Sequence, residues 1–256
     1  MSHNFRQTDI LRIAKENGRV TVEALADRFG VTLQTIRRDL AELTHSGSLD
    51  RVHGGAILPS GVTNIEYEDR RNLNASSKGK IAKICASYIP DKTSVFLGIG
   101  TTPEAVAREL NNRKDLLVVT NNMHVAEIMK TNESCDLVLT GGAFRNADSG
   151  LVGPCAVKTL EMFKFDFAVI GCSALDQSGD MLDFDMQEVV VNQALLRFSR
   201  EMLLVVDNSK FQRSAPYRVG SLRDVGRIFT DNPLPEKVAN LCKDHGVEVL
   251  REAQNS

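Results

Sequence analysis

Apolar residues recur at helical spacing through the first 43 positions. Ile10, Ile13 and Ala14 share a side of a segment over residues 6–17, and Gly18 follows as a stop. Thr21 stands as the cap of a second helix, Val22 to Phe29, with Val22, Leu25 and Phe29 on one face. Gly30 and Val31 make a tight turn, and Thr32 caps a third helix, Leu33 to Leu43. At about 100° per residue, Leu33, Ile36, Leu40 and Leu43 fall together, opposite Gln34, Arg38 and Glu42. Thr35 lies on one flank, Arg37 and Ala41 on the other. Two short helices so briefly joined predict a helix-turn-helix over about residues 20–39. Ser46-Gly47-Ser48 is then a turn, Leu49–Val52 an alternating strand, and His53-Gly54-Gly55-Ala56 its closure. Residues 1–58 therefore predict a winged helix-turn-helix.

Residues 59–77 are polar and aperiodic and predict a linker, with room for a helical turn near Glu66–Arg71. From Lys78 the pattern changes. A helix to Tyr88 precedes apolar strand candidates at 94–97, 116–119, 137–139, 167–170, 202–206, 228–230 and 247–250. Helical stretches lie between most of them, at 103–111, 123–131, 157–163, 187–198 and 235–244. Strands apolar throughout, alternating with helices, predict an α/β domain over 78–256 with a mostly parallel sheet covered on both faces.

Composition changes this picture little. The net charge of −2 excludes a wholesale basic protein, and residues 1–58 hold eight Lys and Arg against seven Asp and Glu. Contact with nucleic acid must come from local placement of arginine. Five cysteines (Cys85, Cys135, Cys155, Cys172, Cys242) show no CxxC pair and predict buried reduced thiols. The five histidines are scattered, so no metal site is expected. With no apolar signal core and no run long enough to span a bilayer, a cytoplasmic protein without a membrane partner is expected.

Candidate chemistry falls in two places. On the third helix and the wing, Gln34, Thr35 and Arg38 carry the amide, hydroxyl and guanidinium donors that read base edges. Thr32, Arg37 and Arg51 suit phosphates. His53 reads either as a groove contact or as a turn residue. At the strand ends stand Gly100-Thr101-Thr102, Thr120-Asn121-Asn122, Gly141-Gly142 with Arg145, and Asp207-Asn208-Ser209-Lys210. Small, amide and cationic groups there, beside the helix opened by Pro103, suit a small phosphorylated metabolite. The full GxGxxG spacing of a dinucleotide site is absent. Thr102, Asn121 and Asn122 also read as helix caps, and Asp185 to Glu188 has capping-box spacing.

Thr-Leu-Gln-Thr-Ile-Arg-Arg-Asp-Leu at 32–40, followed by Arg51-Val52-His53-Gly54-Gly55-Ala56, resembles the DeoR family of bacterial transcriptional regulators. The resemblance continues through Gly100-Thr101-Thr102, Thr120-Asn121-Asn122, Gly141-Gly142, Gly171 and Ser209-Lys210-Phe211. It implies a repressor whose second domain shares its fold with phosphopentose isomerases and CoA transferases and binds a sugar or polyol phosphate without turning it over. Gly-Thr-Thr-Pro-Glu at 100–104, Asp183-Phe184-Asp185 with Glu188-Val189, and Asp207 through Arg213 resemble the branch answering sn-glycerol 3-phosphate. That implies an effector site with Gly100, Thr101, Thr102, Thr120, Asn121, Asn122, Gly141, Gly142, Arg145, Glu188 and Lys210, no cofactor, operator DNA as partner, and a homo-oligomer. Two alternatives stand beside it: a regulator answering another sugar phosphate, or an isomerase-like enzyme. In the enzyme, Asp183, Asp185 or Glu188 would serve as base and Lys210 would steady an enediolate.

Overall fold

A computed structural model describes residues 3–17, 19–52, 54–57 and 67–252. The chain forms two compact units, Met1–Leu73 and Asn74–Ser256. His53 and residues 59–66 of the expected linker lie outside the described residues.

The first unit runs α1 (His3–Asn17), β1 (Arg19–Thr21), α2 (Val22–Phe29), α3 (Leu33–His45), β2 (Asp50–Val52), β3 (Gly55–Ile57) and α4 (Tyr67–Asn72). Local chemistry sets the helix ends. Thr21 Oγ1 accepts from the Ala24 amide, Gly30 closes α2 in left-handed backbone at φ 62°, and Thr32 Oγ1 accepts from the Thr35 amide at 3.2 Å. Ile10, Ile13, Leu25, Ile36, Leu40 and Leu49 form the core. The wing has three antiparallel strands in the order β1-β3-β2, the first of them unforeseen. Gly55 lets β3 close on β1, because a Cβ there would stand 1.9 Å from the Val20 carbonyl oxygen.

The buried face of α3 departs from the expected stripe. Leu33, in the first turn, is 41% exposed, while Asp39 is buried beside Ile36, Leu40 and Leu43. The Arg6 guanidinium of α1 grips both Asp39 oxygens, Nη2 donating at 3.0 Å. Their mutual hydrogen bond and charge outweigh desolvation and raise the Arg6 pKa above its ordinary value. Asp39→Ala should leave the guanidinium without its partner and cost the first unit about 2 kcal/mol. Hydrogen exchange at α1 amides should then quicken roughly 30-fold. Unchanged protection would show that apolar contacts alone hold α1.

The second unit begins earlier than expected, since Ala75–Ser77 already belong to α5 (Ala75–Tyr88). Seven parallel strands follow: β4 (Ser94–Leu97), β5 (Leu117–Thr120), β6 (Asp136–Leu139), β9 (Phe165–Ile170), β12 (Ser199–Val205), β14 (Arg227–Phe229) and β15 (Glu248–Leu250). Their order is β15-β14-β12-β9-β4-β5-β6, with every pairing parallel. Along β4 the side chains alternate faces. Val95 and Leu97 join the core under α5, α6 (Thr101–Leu110) and α7 (Met123–Met129). Phe96 joins the one under α8 (Pro154–Leu160), α9 (Met186–Phe198) and α10 (Glu236–His245). Two small antiparallel additions were not predicted: the hairpin β7 (Ala143–Arg145) with β8 (Gly150–Val152), and the sheet β10 (Ala174–Leu175), β11 (Asp180–Asp183) and β13 (Tyr217–Ser221). All five cysteines are free; Cys85, Cys172 and Cys242 are buried as expected, whereas Cys135 is half-buried and Cys155 exposed. Among the described residues no helix is long and apolar enough to cross a membrane.

The chain builds outward from β4 through β5 to β6, then returns to the other side of β4 as β9. The strand order therefore reverses between β4 and β9. In open α/β sheets this reversal opens a crevice at the carboxyl ends of the strands, where ligands bind.

Candidate functional site

On α3, Gln34, Arg37 and Arg38 are exposed, and Thr35 is half-buried. The Arg38 side chain is 77% exposed, with Glu42 one turn on at 3.4 Å. Gln7 also donates to Glu42, at 2.9 Å, so that carboxylate is tied back toward α1. The Thr32 and Thr35 hydroxyls lie 2.9 Å apart, and Thr32 also caps the helix, so Thr32 is anchored before it meets any partner. Arg51 on β2 comes near Arg37. Burial and that like charge both draw its pKa below the ordinary value, and its Nη1 is buried with no hydrogen-bond partner. Two guanidiniums held together against their mutual repulsion make a place for an anion such as a DNA phosphate.

At the reversal point, Gly98 N donates to the Val169 carbonyl at 3.0 Å, drawing together the ends of β4 and β9. Helix α6 starts at Thr101, two residues before the expected Pro103. Gly100, at φ 134°, is its N-cap, with no side-chain cap bond. The first-turn amides of Thr101 and Thr102 thus carry the positive end of a ten-residue helix. Thr102 itself is buried, while Gly100 and Thr101 are half-exposed.

The second strand end is mostly structural. Thr120 Oγ1 donates to the Leu97 carbonyl at 2.7 Å and accepts from the Asn122 amide. Asn122 Oδ1 caps α7 through the His124 amide, and its Nδ2 donates to buried Glu104 at 3.2 Å. Both side chains are engaged by the fold, which removes them as ligand donors. Asn121 differs. Its Nδ2 donates to the Leu151 carbonyl at 3.1 Å, which leaves a buried Oδ1 with no partner. Thr140 Oγ1, Asp207 Oδ2 and Thr230 Oγ1 are orphaned likewise, each just past the end of a strand. Buried polar atoms are ordinarily paired. Thr140 and Thr230 follow β6 and β14, five strands apart, and no single small ligand meets both. Asn121 and Asp207, by contrast, follow the strands next to β4 and β9 and flank the reversal point.

Arg145 and Glu188 belong elsewhere. Arg145 donates from Nε and Nη2 to Asp148, each at 2.8 Å, from Nη1 to Asp185 at 3.0 Å, and from Nη2 to Glu188. Burial lowers the Arg145 pKa, but the Glu188 and Asp148 charges overcome it and the net shift is upward. Glu188 is pushed up by burial and by Asp183, against the pull of Arg145. Asp185 accepts from the Glu188 amide at 2.9 Å as a cap, while the Glu188 carboxylate turns to Arg145. Asp148, Asp185 and Glu188 already engage all three nitrogens of this guanidinium, which counts against the expectation that Arg145 holds a phosphate. The cluster clamps the β7–β8 hairpin to the start of α9. Gly141 is exposed, and Gly142 serves the same hairpin, since a Cβ there would stand 2.6 Å from the Val152 carbonyl oxygen. Beside the clamp a cleft of about 430 Å³ opens between Phe144, Met186 and Tyr217, all exposed, and away from the α6 N-terminus.

The sequence reading gave no role to Lys78 and, though it placed Asp207 at a strand end, none to that carboxylate. Lys78 is buried on α5, and Asp207 is buried at the end of β12. Burial raises the Asp207 pKa, but Lys210, the Ser209 hydroxyl and Lys78 outweigh it and hold the carboxyl below the usual range. Lys78 had left a signal in the chain: it sits at helical spacing with Ile81, Ala82 and Cys85, a cation within an apolar stripe. Among the described residues no cluster of His, Cys, Asp or Glu could hold a metal ion.

Residues 6–62 match the DeoR-like helix-turn-helix domain, and residues 73–232 match the DeoR C terminal sensor domain. The chain is 39% identical over 249 residues to the glycerol-3-phosphate regulon repressor of Escherichia coli (strain K12), covering 97% of this chain and 99% of that protein. With the glycerol-3-phosphate regulon repressor of Haemophilus influenzae it shares 40% over 250 residues, 98% of this chain and 97% of that one. A solved translation initiation factor eIF-2B from Pyrococcus horikoshii OT3 has a similar fold. Its TM-score is 0.51 at 10% identity, covering 90% of this chain and 82% of that chain. On two domain matches that together span most of its length, this chain belongs to the DeoR family of DNA-binding transcriptional regulators.

Proposed function

We propose that this protein represses genes of glycerol and glycerol 3-phosphate catabolism and leaves its operator when sn-glycerol 3-phosphate binds in the second unit. The observation that carries this reading is the 39–40% identity to two glycerol-3-phosphate regulon repressors over nearly the whole chain. The strand-end chemistry agrees with it. The α6 N-terminus with Thr101, and the ammonium groups of Lys78 and Lys210, supply positive charge for a phosphate. The orphaned Asn121 Oδ1 can accept from a hydroxyl. Residues 1–58 read the operator, and 78–256 sense the effector and assemble copies. One α3 with few cations binds weakly, so two or more copies act together on repeated half-sites. The site binds without reaction: Asp185 and Glu188, two of the carboxylates a base would need, are tied to Arg145.

A mobility-shift titration on the protein's own promoter region, against a panel of phosphorylated metabolites, tests this. Saturating sn-glycerol 3-phosphate should weaken operator binding ~100-fold, a coupling of roughly 2.7 kcal/mol. Release by a hexose phosphate alone would assign a different effector, and indifference to the whole panel would end the sensing reading. Turnover of an aldose phosphate would make the protein an enzyme as well.

A further inference from the structure

The division between the two units falls between Leu73 and Asn74, and the Asn74 side chain serves an uncommon purpose. Asn74 is the N-cap of α5, in left-handed backbone at φ 54° and ψ 33°, yet makes no cap bond with its own helix. An asparagine at an N-cap ordinarily accepts from an amide in the first helical turn. Here Nδ2 reaches 133 residues along the chain and donates to Asp207 Oδ1 at 3.0 Å. The Asn74 carbonyl accepts the first helical bond of α5 from the amide of Lys78, also at 3.0 Å. One residue therefore touches the carboxylate at the end of β12, begins the helix that carries Lys78, and takes the chain on from the DNA-binding unit.

We propose that Asn74 and Asp207 form the joint through which effector binding reaches the DNA-binding unit. This rests on the reading that the strand ends take a phosphorylated effector against Lys78 and Lys210. With no effector, Asp207 has four sources of compensation: two ammonium groups, Ser209 and Asn74. A phosphate dianion draws the ammonium groups toward itself. A buried carboxylate cannot be left uncompensated, so Asp207 leans harder on its neutral donors. Ser209 belongs to the same turn as Asp207, so that bond stays within one turn. Asn74 stands on the connecting chain, so tightening it fixes the direction in which that chain leaves α5. A ligand shifts a conformational equilibrium only through an interaction that differs between the two states, and this bond supplies the difference.

The test is Asn74→Gly in the full-length protein, since glycine accepts left-handed backbone without strain and removes only the donor. Operator affinity without effector should stay within about threefold of the parent, and calorimetry should still detect sn-glycerol 3-phosphate binding. Release at saturating effector should fall from ~100-fold to below about fivefold. By reciprocity, operator DNA should no longer weaken effector binding. Asn74→Asp, which sets a second carboxylate against Asp207, should lose the coupling too. Asn72→Gly adds the same backbone freedom two residues earlier without touching Asp207, and should keep it. Full release by Asn74→Gly overturns the joint, and so does equal loss in Asn72→Gly, because a stiff connection then suffices. If the parent protein itself binds no sn-glycerol 3-phosphate, the effector reading fails and the joint with it. If the parent binds it and releases DNA while Asn74→Gly behaves identically, the joint alone fails.

Discussion

Arg38→Ala is expected to abolish the preference for operator over unrelated DNA while leaving the fold intact. The side chain is 77% exposed on α3, opposite the buried Ile36, Leu40 and Leu43, and it makes a 3.4 Å contact with Glu42. Truncation opens no cavity. A guanidinium paired with a guanine edge contributes about 1–3 kcal/mol of discrimination, roughly 5- to 150-fold for each half-site read. Arg37→Ala and Arg51→Ala should behave differently. If these two neighbouring guanidiniums hold a backbone phosphate, their loss should weaken specific and non-specific binding alike. Each should also reduce the salt slope by about one unit per copy. Competition assays with operator and scrambled duplexes at several salt concentrations separate the two patterns. An Arg38→Ala protein that still discriminates would move base reading to Gln34 and Thr35.

Lys210→Ala is expected to give a repressor that no longer lets go. Removing one cation from a phosphate held in a partly enclosed site costs about 2–5 kcal/mol, roughly 30- to 5,000-fold in effector affinity. Lys210 lies in the second unit, so its loss removes no operator contact. Effector-free operator binding should weaken only by the part of the effector's action that comes from taking one of the two ammonium groups from Asp207. Lys210 also compensates Asp207, so its loss adds a stability cost that thermal unfolding of the free protein will report. Lys210→Gln, which keeps donors without the charge, should fall between the two. Release by the alanine variant at the parental effector concentration would place the phosphate elsewhere. The clamp around Arg145 would not be the next candidate, since three carboxylates already surround that guanidinium.

Both arguments begin with residues that were legible in the chain. The helix-turn-helix was readable because its determinants are local: caps at Thr21 and Thr32, a left-handed glycine at 30, and apolar spacing between them. The parallel sheet was readable because strands covered on both faces are apolar without interruption. The hairpin β7–β8 and the sheet β10-β11-β13 were not. Their strands are two to five residues long, and short segments of this kind carry no period to detect. The face of α3 was read one position out. Leu33 precedes the part of the helix that packs, and a carboxylate in a buried stripe makes sense only beside Arg6, 33 residues earlier.

By itself the sequence determined which elements form, which helix presents donors to DNA, and which residue types gather at the strand ends. These follow from periodicity, capping and strand composition, all properties of neighbours in the chain. Tertiary structure alone decided which strand-end groups remain available. Thr120, Asn122, Arg145 and Glu188 are taken up by partners from other elements, while Lys78, unremarked in the chain, is brought to Asp207. Hydrogen bonds and charges act over a few ångströms of space, and chain distance does not predict them. The contact between Asn74 and Asp207, 133 residues apart, exists only because the fold closes that gap to 3.0 Å.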